Sequence, residues 1–95
     1  MSDVISAAVD AMREKIQDGF DGTAKFVIEG EGAIMLDESG VRAGDDPAQV
    51  TLTADVDTFR DILDGELNPT AAFMSGKLSV DGDMGLAMKL ASVLS

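Results

Sequence analysis

Residues 49–63 read QVTLTADVDTFRDIL, and the spacing of the apolar side chains changes in the middle of this stretch. Val50, Leu52 and Ala54 alternate with polar residues, which predicts a strand with one buried face. Beyond Asp55 the apolar side chains recur every three or four residues, which predicts a helix with Asp55 as its N-cap. A strand that leads directly into a helix indicates a fold that mixes both types of element.

Glycine-containing turns divide the chain before this stretch into a helix and three strands. The helix has apolar residues at helical spacing from Val4 to Ile16, with Ser2 as its predicted N-cap and Gly19 as its predicted end. Apolar runs bounded by turns then predict strands over residues 23–29, 33–36 and 41–43. The short spacing between these strands is typical of hairpins, and therefore of antiparallel neighbours.

The chain after this stretch is predicted to contain a short helix, a strand and a final helix. Gly65 ends the preceding helix, and Asn68-Pro69 supplies an N-cap followed by proline at the first helical position. Alternating residues over 77–80 predict the last strand. Asp83 is then placed to cap the final helix, residues 84–94.

The predicted order of elements is helix, four strands, two helices, strand and helix. Hairpin spacing through the middle favours an antiparallel-rich sheet, and the helices gather on one of its faces. We therefore predict an α+β fold with a single-layer, five-stranded sheet. A length of 95 residues leaves room for one core, so residues 1–95 are predicted to form one domain.

The composition argues against several classes of function. Cysteine and histidine are both absent, which removes disulfides, thiolate catalysis, the usual general base and the commonest metal ligands. The net charge of −11 makes binding to nucleic acid unfavourable. Hydrophobic residues make up 45% of the chain, so it is expected to fold. We expect a protein that is not an enzyme, with no cofactor, no metal and no nucleic-acid partner.

Short motifs that suggest nucleotide or calcium binding are incomplete. Gly30-Glu-Gly32 lacks the third glycine of a dinucleotide fingerprint, because Met35 stands at that position and a strand follows. Asp55-Val-Asp57 opens like a calcium loop, but Phe59 occupies a position that needs a ligand. We therefore assign these segments to a hairpin turn and a helix cap.

The sequence also predicts where the protein resides. No apolar run reaches the length of a membrane span, and no basic-then-apolar leader opens the chain. The last residues, Ser92-Val-Leu-Ser95, differ from the Ser-Lys-Leu type of peroxisomal tail. We expect a soluble, cytoplasmic protein.

The final helix has an unusually wide apolar surface. Its polar stripe consists of Gly85, Lys89 and Ser92, which leaves an apolar arc of about 220°. Met84 and Met88 lie on this arc, and methionine suits surfaces that adapt to varied apolar shapes. Two interpretations remain open. The helix is sunk deep in the core, or one flank faces the sheet while the other lines a cavity or a partner.

The segment FMSGKLSVDGDMGLAMKL, residues 73–90, resembles the C-terminal signature of the sterol carrier protein type 2 family. DGELNP, residues 64–69, resembles the turn that leads into this signature. The predicted order of elements agrees with the fold of that family over nearly the whole chain. The resemblance therefore implies a small lipid-binding domain.

The resemblance further implies an apolar tunnel between the sheet and the C-terminal helices. Its expected occupant is a fatty acid, an acyl-CoA, a phospholipid or a sterol, with a straight acyl chain favoured. The implied lining is Phe73 and Met74 of the short helix and Met84, Leu86, Met88, Leu90 and Leu94 of the last helix. Candidate floor residues, which serve equally well as plain core, are Phe26, Ile28, Ile34 and Leu36.

The acidic composition separates this chain from basic members of the family. Lys77 and Lys89 are the only cations in the signature, and two cations make a poor site for coenzyme A phosphates. We expect a non-enzymatic lipid carrier, monomeric or weakly dimeric, that contacts a membrane or a lipid enzyme transiently. The alternative is a protein-interaction or accessory module, for example in isoprenoid-lipid metabolism, that uses the apolar face of the last helix.

Overall fold

The structure, a computed structural model, describes residues 3–17 and 19–94. The order of elements is as predicted: α1 (Asp3–Lys15), β1 (Ala24–Ile28), β2 (Gly32–Asp37), β3 (Gly40–Ala43), β4 (Val50–Ala54), α2 (Val56–Leu63), α3 (Pro69–Met74), β5 (Ser79–Gly82) and α4 (Met84–Leu94). Ser2, the predicted N-cap of α1, lies outside the described residues. Among the helices described, none combines the length and apolar composition needed to cross a bilayer.

The described strands form a five-stranded sheet in the order β3-β2-β1-β4-β5. The neighbours pair antiparallel except at the centre, where β1 and β4 run parallel. In this register Phe26 lies opposite both Ile34 and Leu52. The predicted antiparallel-rich sheet is confirmed, and the parallel pair makes it a mixed sheet.

The parallel pair requires a connection that crosses the sheet. Residues 44–49 lead from β3, at one edge, to β4 on the far side of β1. Gly44 lies against Met35, because a Cβ added at Gly44 would sit 3.1 Å from the Met35 Cγ atom. Lys25 Nζ pairs with Asp45 Oδ1 at 2.9 Å. Since Met35 and Lys25 point away from the helices, this connection runs over the second face of the sheet and covers Met35 there.

The main core lies between the other face of the sheet and the helices. Strand residues at alternate positions point into it, among them Phe26, Ile28, Ile34 and Leu36, all fully buried. From the helices, α1 contributes Met12 and α4 contributes Leu90, both also fully buried. The prediction that the helices gather on one face is therefore confirmed.

Side-chain caps begin three of the helices as the sequence predicts. Asp55 accepts a hydrogen bond from the Thr58 N–H at 2.7 Å. Asn68 accepts from the N–H groups of Thr70 and Ala71 at 2.8 and 3.3 Å. Asp83 accepts from the Leu86 N–H at 3.2 Å. Each cap satisfies N–H groups that have no partner inside the helix, and so fixes where the helix begins.

Candidate functional site

Large apolar side chains are exposed on α3 and α4. Phe73, Met84 and Met88 are 41%, 45% and 54% exposed, and Met74 is 80% exposed. Within the described residues, these four are the large apolar side chains that are exposed to solvent. Their clustering on two neighbouring helices marks a candidate site for an apolar ligand or partner.

An apolar groove, called here the α3–α4 groove, runs beside these side chains. Leu52 of β4 and Val80 of β5 form its floor, Phe73 forms the α3 wall, and Met84 and Met88 form part of the α4 wall. Ala87, Ala91, Leu78 and Pro69 complete the apolar lining, to which Thr70 adds a polar side chain. The cavity volume is only about 20 Å³, so the groove is nearly closed in this structure.

The turn after α3 determines where Phe73 stands. The N–H groups of Lys77 and Leu78 both donate to the Ala72 carbonyl, at 2.9 and 3.1 Å, so the chain folds back immediately after the helix. Ala72 and Leu78 are buried on the core side of this turn. Phe73, next to Ala72, is consequently held on the groove side.

The position of α4 depends on a close approach at Gly82. This glycine has φ +112°, and a Cβ added to it would overlap the Gln49 carbonyl oxygen. The next N–H, from Asp83, donates to that same carbonyl at 2.9 Å. Only glycine fits this contact, which brings the start of α4 against the beginning of β4.

The apolar arc of α4 is divided among three surroundings. Ala87, Leu90 and Leu94 face the core and are buried. Met84, Met88 and Ala91 face the groove, which Ala87 also borders. Leu86 and Val93 are half-buried on the opposite flank, where Leu86 lies against Gly22. The helix is therefore not sunk in the core on all sides: one flank packs in the core, and another is exposed beside the α3–α4 groove.

The structure brings some of the predicted site residues together and separates others. Phe73, Met84 and Met88 meet in the α3–α4 groove. Met74 is exposed beside it but does not line it. Core positions are taken by Leu90 and Leu94, and by the predicted floor residues Phe26, Ile28, Ile34 and Leu36. Whether any of these residues binds a ligand stays a prediction.

A larger cavity, the α1–α2 cleft, was missed at the level of sequence. It has a volume of about 330 Å³ and lies between the Ala7 and Ala11 side of α1 and the Val56 and Leu63 side of α2. Asp3, Arg60 and Asp64 also line it. The signal in the sequence was the run of alanines at positions 7, 8 and 11, whose short side chains leave space between two helices.

Of the two lysines in the segment 73–90, Lys89 forms an ion pair with a carboxylate. Lys89 Nζ lies 2.9 Å from Asp21 Oδ2. The pKa of Asp55 is held below its ordinary value by the N–H and hydroxyl groups of Thr58, with a smaller contribution from the positive charge of Lys77. A phosphate-rich head group would have to compete with Asp21 for Lys89.

Carboxylate clusters that could hold a metal do not occur in the part of the chain that the structure describes. The polar lining of the groove is limited to Thr70. Its chemistry is therefore that of an apolar surface, suited to the burial of hydrocarbon.

Comparison with known proteins places these features in context. A family profile described as the SCP-2 sterol transfer family matches residues 4–95. The chain is 33% identical over 102 residues to hydroxysteroid dehydrogenase-like protein 2 of Xenopus laevis, covering 99% of this chain and 24% of that protein. It is 39% identical over 84 residues to sterol carrier protein 2 of Rattus norvegicus, covering 83% of this chain and 14% of that protein. The chain thus spans a quarter or less of the length of these relatives.

A similar solved structure is that of sterol carrier protein 2 from Aedes aegypti in complex with the C16 fatty acid palmitate. The TM-score is 0.78 at 22% identity, and the match covers 100% of this chain and 97% of that chain. At this level of identity the likeness shows a shared fold.

Proposed function

This chain belongs to the SCP-2 sterol transfer family, and on that premise we propose that it is a non-enzymatic lipid carrier whose cargo is a fatty acyl chain. The acyl chain lies in the α3–α4 groove, under the C-terminal helix. The observation that carries this proposal is the exposure of Phe73, Met84 and Met88 along one apolar groove. When a hydrocarbon ligand covers exposed apolar side chains, their surface is removed from water, and this burial contributes favourable binding free energy.

Cargo must open the groove in order to enter it. The present cavity of about 20 Å³ is far smaller than the pockets of about 300–1,000 Å³ that hold small-molecule ligands, so it has no room for an acyl chain. Met84 and Met88 favour opening, because methionine side chains are unbranched and adopt several shapes at small cost. Entry of an acyl chain therefore requires α3 and α4 to separate, with the methionines repacking around it.

The energetics favour a modest affinity. Burial of ten to fifteen methylenes contributes about 8–12 kcal/mol, at about 0.8 kcal/mol each. Association costs of about 4–15 kcal/mol and the opening of the groove offset most of this. Binding on the order of micromolar suits a carrier, because the cargo must leave again.

The charge of the protein favours a fatty acid or a neutral lipid over a coenzyme A thioester. Lys89 is paired with Asp21, and the whole chain carries a net charge of −11. A highly anionic head group would be repelled by this field and would have to compete with Asp21 for Lys89. The palmitate in the similar mosquito protein is consistent with this choice.

A protein-docking role is the alternative for the same surface. This chain spans 24% of the frog relative, so an adjacent domain or a separate protein could cover the groove. A docked protein would bury the four exposed apolar side chains of α3 and α4, as a lipid would. The two roles differ in what copurifies with the chain and in its mass in solution.

Mass spectrometry under native and denaturing conditions separates these roles. We expect an excess mass on the native protein that disappears on denaturation, with a fatty acid or phospholipid in the solvent extract. A lipid-free dimer or oligomer would favour the docking role instead.

Variants then locate the cargo. Met88→Glu places a carboxylate in the groove and should abolish palmitate binding while the fold is retained. Ala71→Glu adds the same charge at an exposed α3 position outside the groove, and should bind palmitate as the unmodified protein does. Equal binding by both variants would contradict the location.

A further inference from the structure

The methionines of this chain fall into two classes of accessibility. Met12 and Met35 are 0% and 1% exposed, whereas Met74, Met84 and Met88 are 80%, 45% and 54% exposed. Met84 and Met88 line the α3–α4 groove, and Met74 lies at its side. Because oxidation of a thioether needs access to the sulfur, the reactive methionines of the described chain are those around the groove.

We propose that Met84 and Met88 are oxidation sites for hydroperoxides, and that their conversion to sulfoxides releases the acyl cargo. The release step rests on the proposed function, because it requires an acyl chain in the groove. The two residues stand four apart on α4, so their side chains lie on one face of the helix and contact the same ligand.

The reaction needs only a hydroperoxide as co-reactant. A lone pair of the methionine sulfur attacks the outer oxygen of ROOH, the O–O bond breaks, and an S–O bond forms. The remaining RO fragment takes the proton and leaves as ROH, which is water when R is hydrogen. Sulfur loses two electrons and the peroxide gains two, so the step is balanced without a metal or other cofactor. Methionine sulfoxide reductases can reverse the modification.

Oxidation changes the groove far more than it changes the fold. A sulfoxide is polar and accepts hydrogen bonds, yet the groove offers it only the Thr70 hydroxyl among its side chains. An acyl chain packed against the sulfoxides would strip their hydration without replacing it, which costs affinity. Met12 and Met35 are both enclosed in the folded protein, so these two side chains keep their thioethers.

Two sources of peroxide fit the same chemistry. Hydrogen peroxide reaches the sulfurs from solvent, because both side chains are about half exposed. A fatty acid hydroperoxide carried as cargo would place its O–O bond in the groove itself. Delivery by the cargo would make oxidation at Met84 and Met88 faster than at Met74, although Met74 is the most accessible of the three.

The sites are mapped on the folded chain by peptide mass spectrometry after limited treatment with hydrogen peroxide. We expect one added oxygen at Met84 and Met88, and none at Met12 or Met35 until the protein is unfolded. Saturation with palmitate should slow the oxidation of Met84 and Met88 and leave the oxidation rate of Met74 unchanged. Linoleic acid hydroperoxide at equal concentration tests the second source. If the cargo delivers the peroxide, Met84 and Met88 should be oxidised faster than Met74.

The release step is measured as the ratio of palmitate affinities after and before oxidation of the same protein. We expect at least a tenfold loss for the unmodified chain. Met84→Leu/Met88→Leu removes both sulfurs and keeps the volume, so its own ratio should stay near one. Met35→Leu, the matched control on the second face of the sheet, should show the same loss as the unmodified chain.

Several results would overturn the proposal. Oxidation at Met12 or Met35 as fast as at Met84 and Met88 would remove the selectivity. The release step would be contradicted if the oxidised chain kept its palmitate affinity. It would also be contradicted if oxidation weakened palmitate binding as much in Met84→Leu/Met88→Leu as in the unmodified chain. A chain that binds no palmitate before treatment would refute the proposed function and the release step together. The peptide mass spectra would still show whether Met84 and Met88 are the oxidation sites.

Discussion

Phe26 of β1 and Phe59 of α2 pack edge to face, with ring centroids 4.5 Å apart and ring planes at 63°. Both rings are almost completely buried, at 0% and 2% exposed. This contact joins the central strand to the helix that follows the change of period in the sequence. The pair therefore ties the centre of the sheet to the helical layer.

Phe59→Ala should destabilise the domain strongly. Loss of a buried ring costs about 3–5 kcal/mol through lost burial and the cavity left behind, which is a large share of the stability of so small a domain. Phe73→Ala removes the same atoms from a ring that is 41% exposed, and should cost well under half as much. Urea unfolding of both variants measures the difference, and equal costs would mean that the ring contact contributes little.

Gly82→Ala should cost more than Gly40→Ala. Both glycines have similar positive φ values, +112° and +118°, so both substitutions introduce backbone strain of about 1–3 kcal/mol. At Gly40 the new Cβ meets nothing within 4 Å, whereas at Gly82 it overlaps the Gln49 backbone. The difference between the two free energies of unfolding isolates this overlap. A difference near zero would show that β4 moves aside without cost.

The Asp55 cap should make folding sensitive to acid. The Thr58 N–H holds the pKa of Asp55 below its ordinary value of 3.8 in the folded chain. The unfolded state therefore takes up the proton first as the pH falls. The stabilisation is complete above the ordinary value and is lost as the pH falls through the lowered one.

Asp55→Asn tests this linkage, because asparagine also caps helices but does not titrate. The free energy of unfolding of this variant should fall less steeply below pH 4 than that of the unmodified chain. Asp37, whose pKa is lowered mainly by Arg42, contributes the same pH dependence to both proteins. Parallel pH profiles for the two proteins would contradict the assignment.

Local features of the fold were predictable and distant ones were not. The caps at Asp55, Asn68 and Asp83 follow from residue type and the change of period, because each acts within one helical turn. The parallel pairing of β1 with β4 depends on residues 44–49 crossing the sheet, and no local pattern specifies that path. The wide apolar arc of α4 left two interpretations open, and the proposed lining came from the family resemblance. The α1–α2 cleft depends on the separation of two helices, which no local pattern specifies.

The last prediction distinguishes these two cavities as the place of the cargo. Ala91 lines the α3–α4 groove and Ala11 lines the α1–α2 cleft, and both are half-buried. Leucine at either position fills space without adding charge. If the acyl chain lies in the groove, Ala91→Leu should weaken palmitate binding about tenfold or more, because the added atoms compete with the ligand for a narrow space. Ala11→Leu should leave the affinity within about twofold, since it acts on the other cavity and only tightens the α1–α2 contact.

Calorimetric titration with palmitate measures the affinity of both variants, and thermal unfolding confirms that each one folds. The reverse order of effects would move the cargo to the α1–α2 cleft, where Arg60 would be the nearest cation to a carboxylate head group.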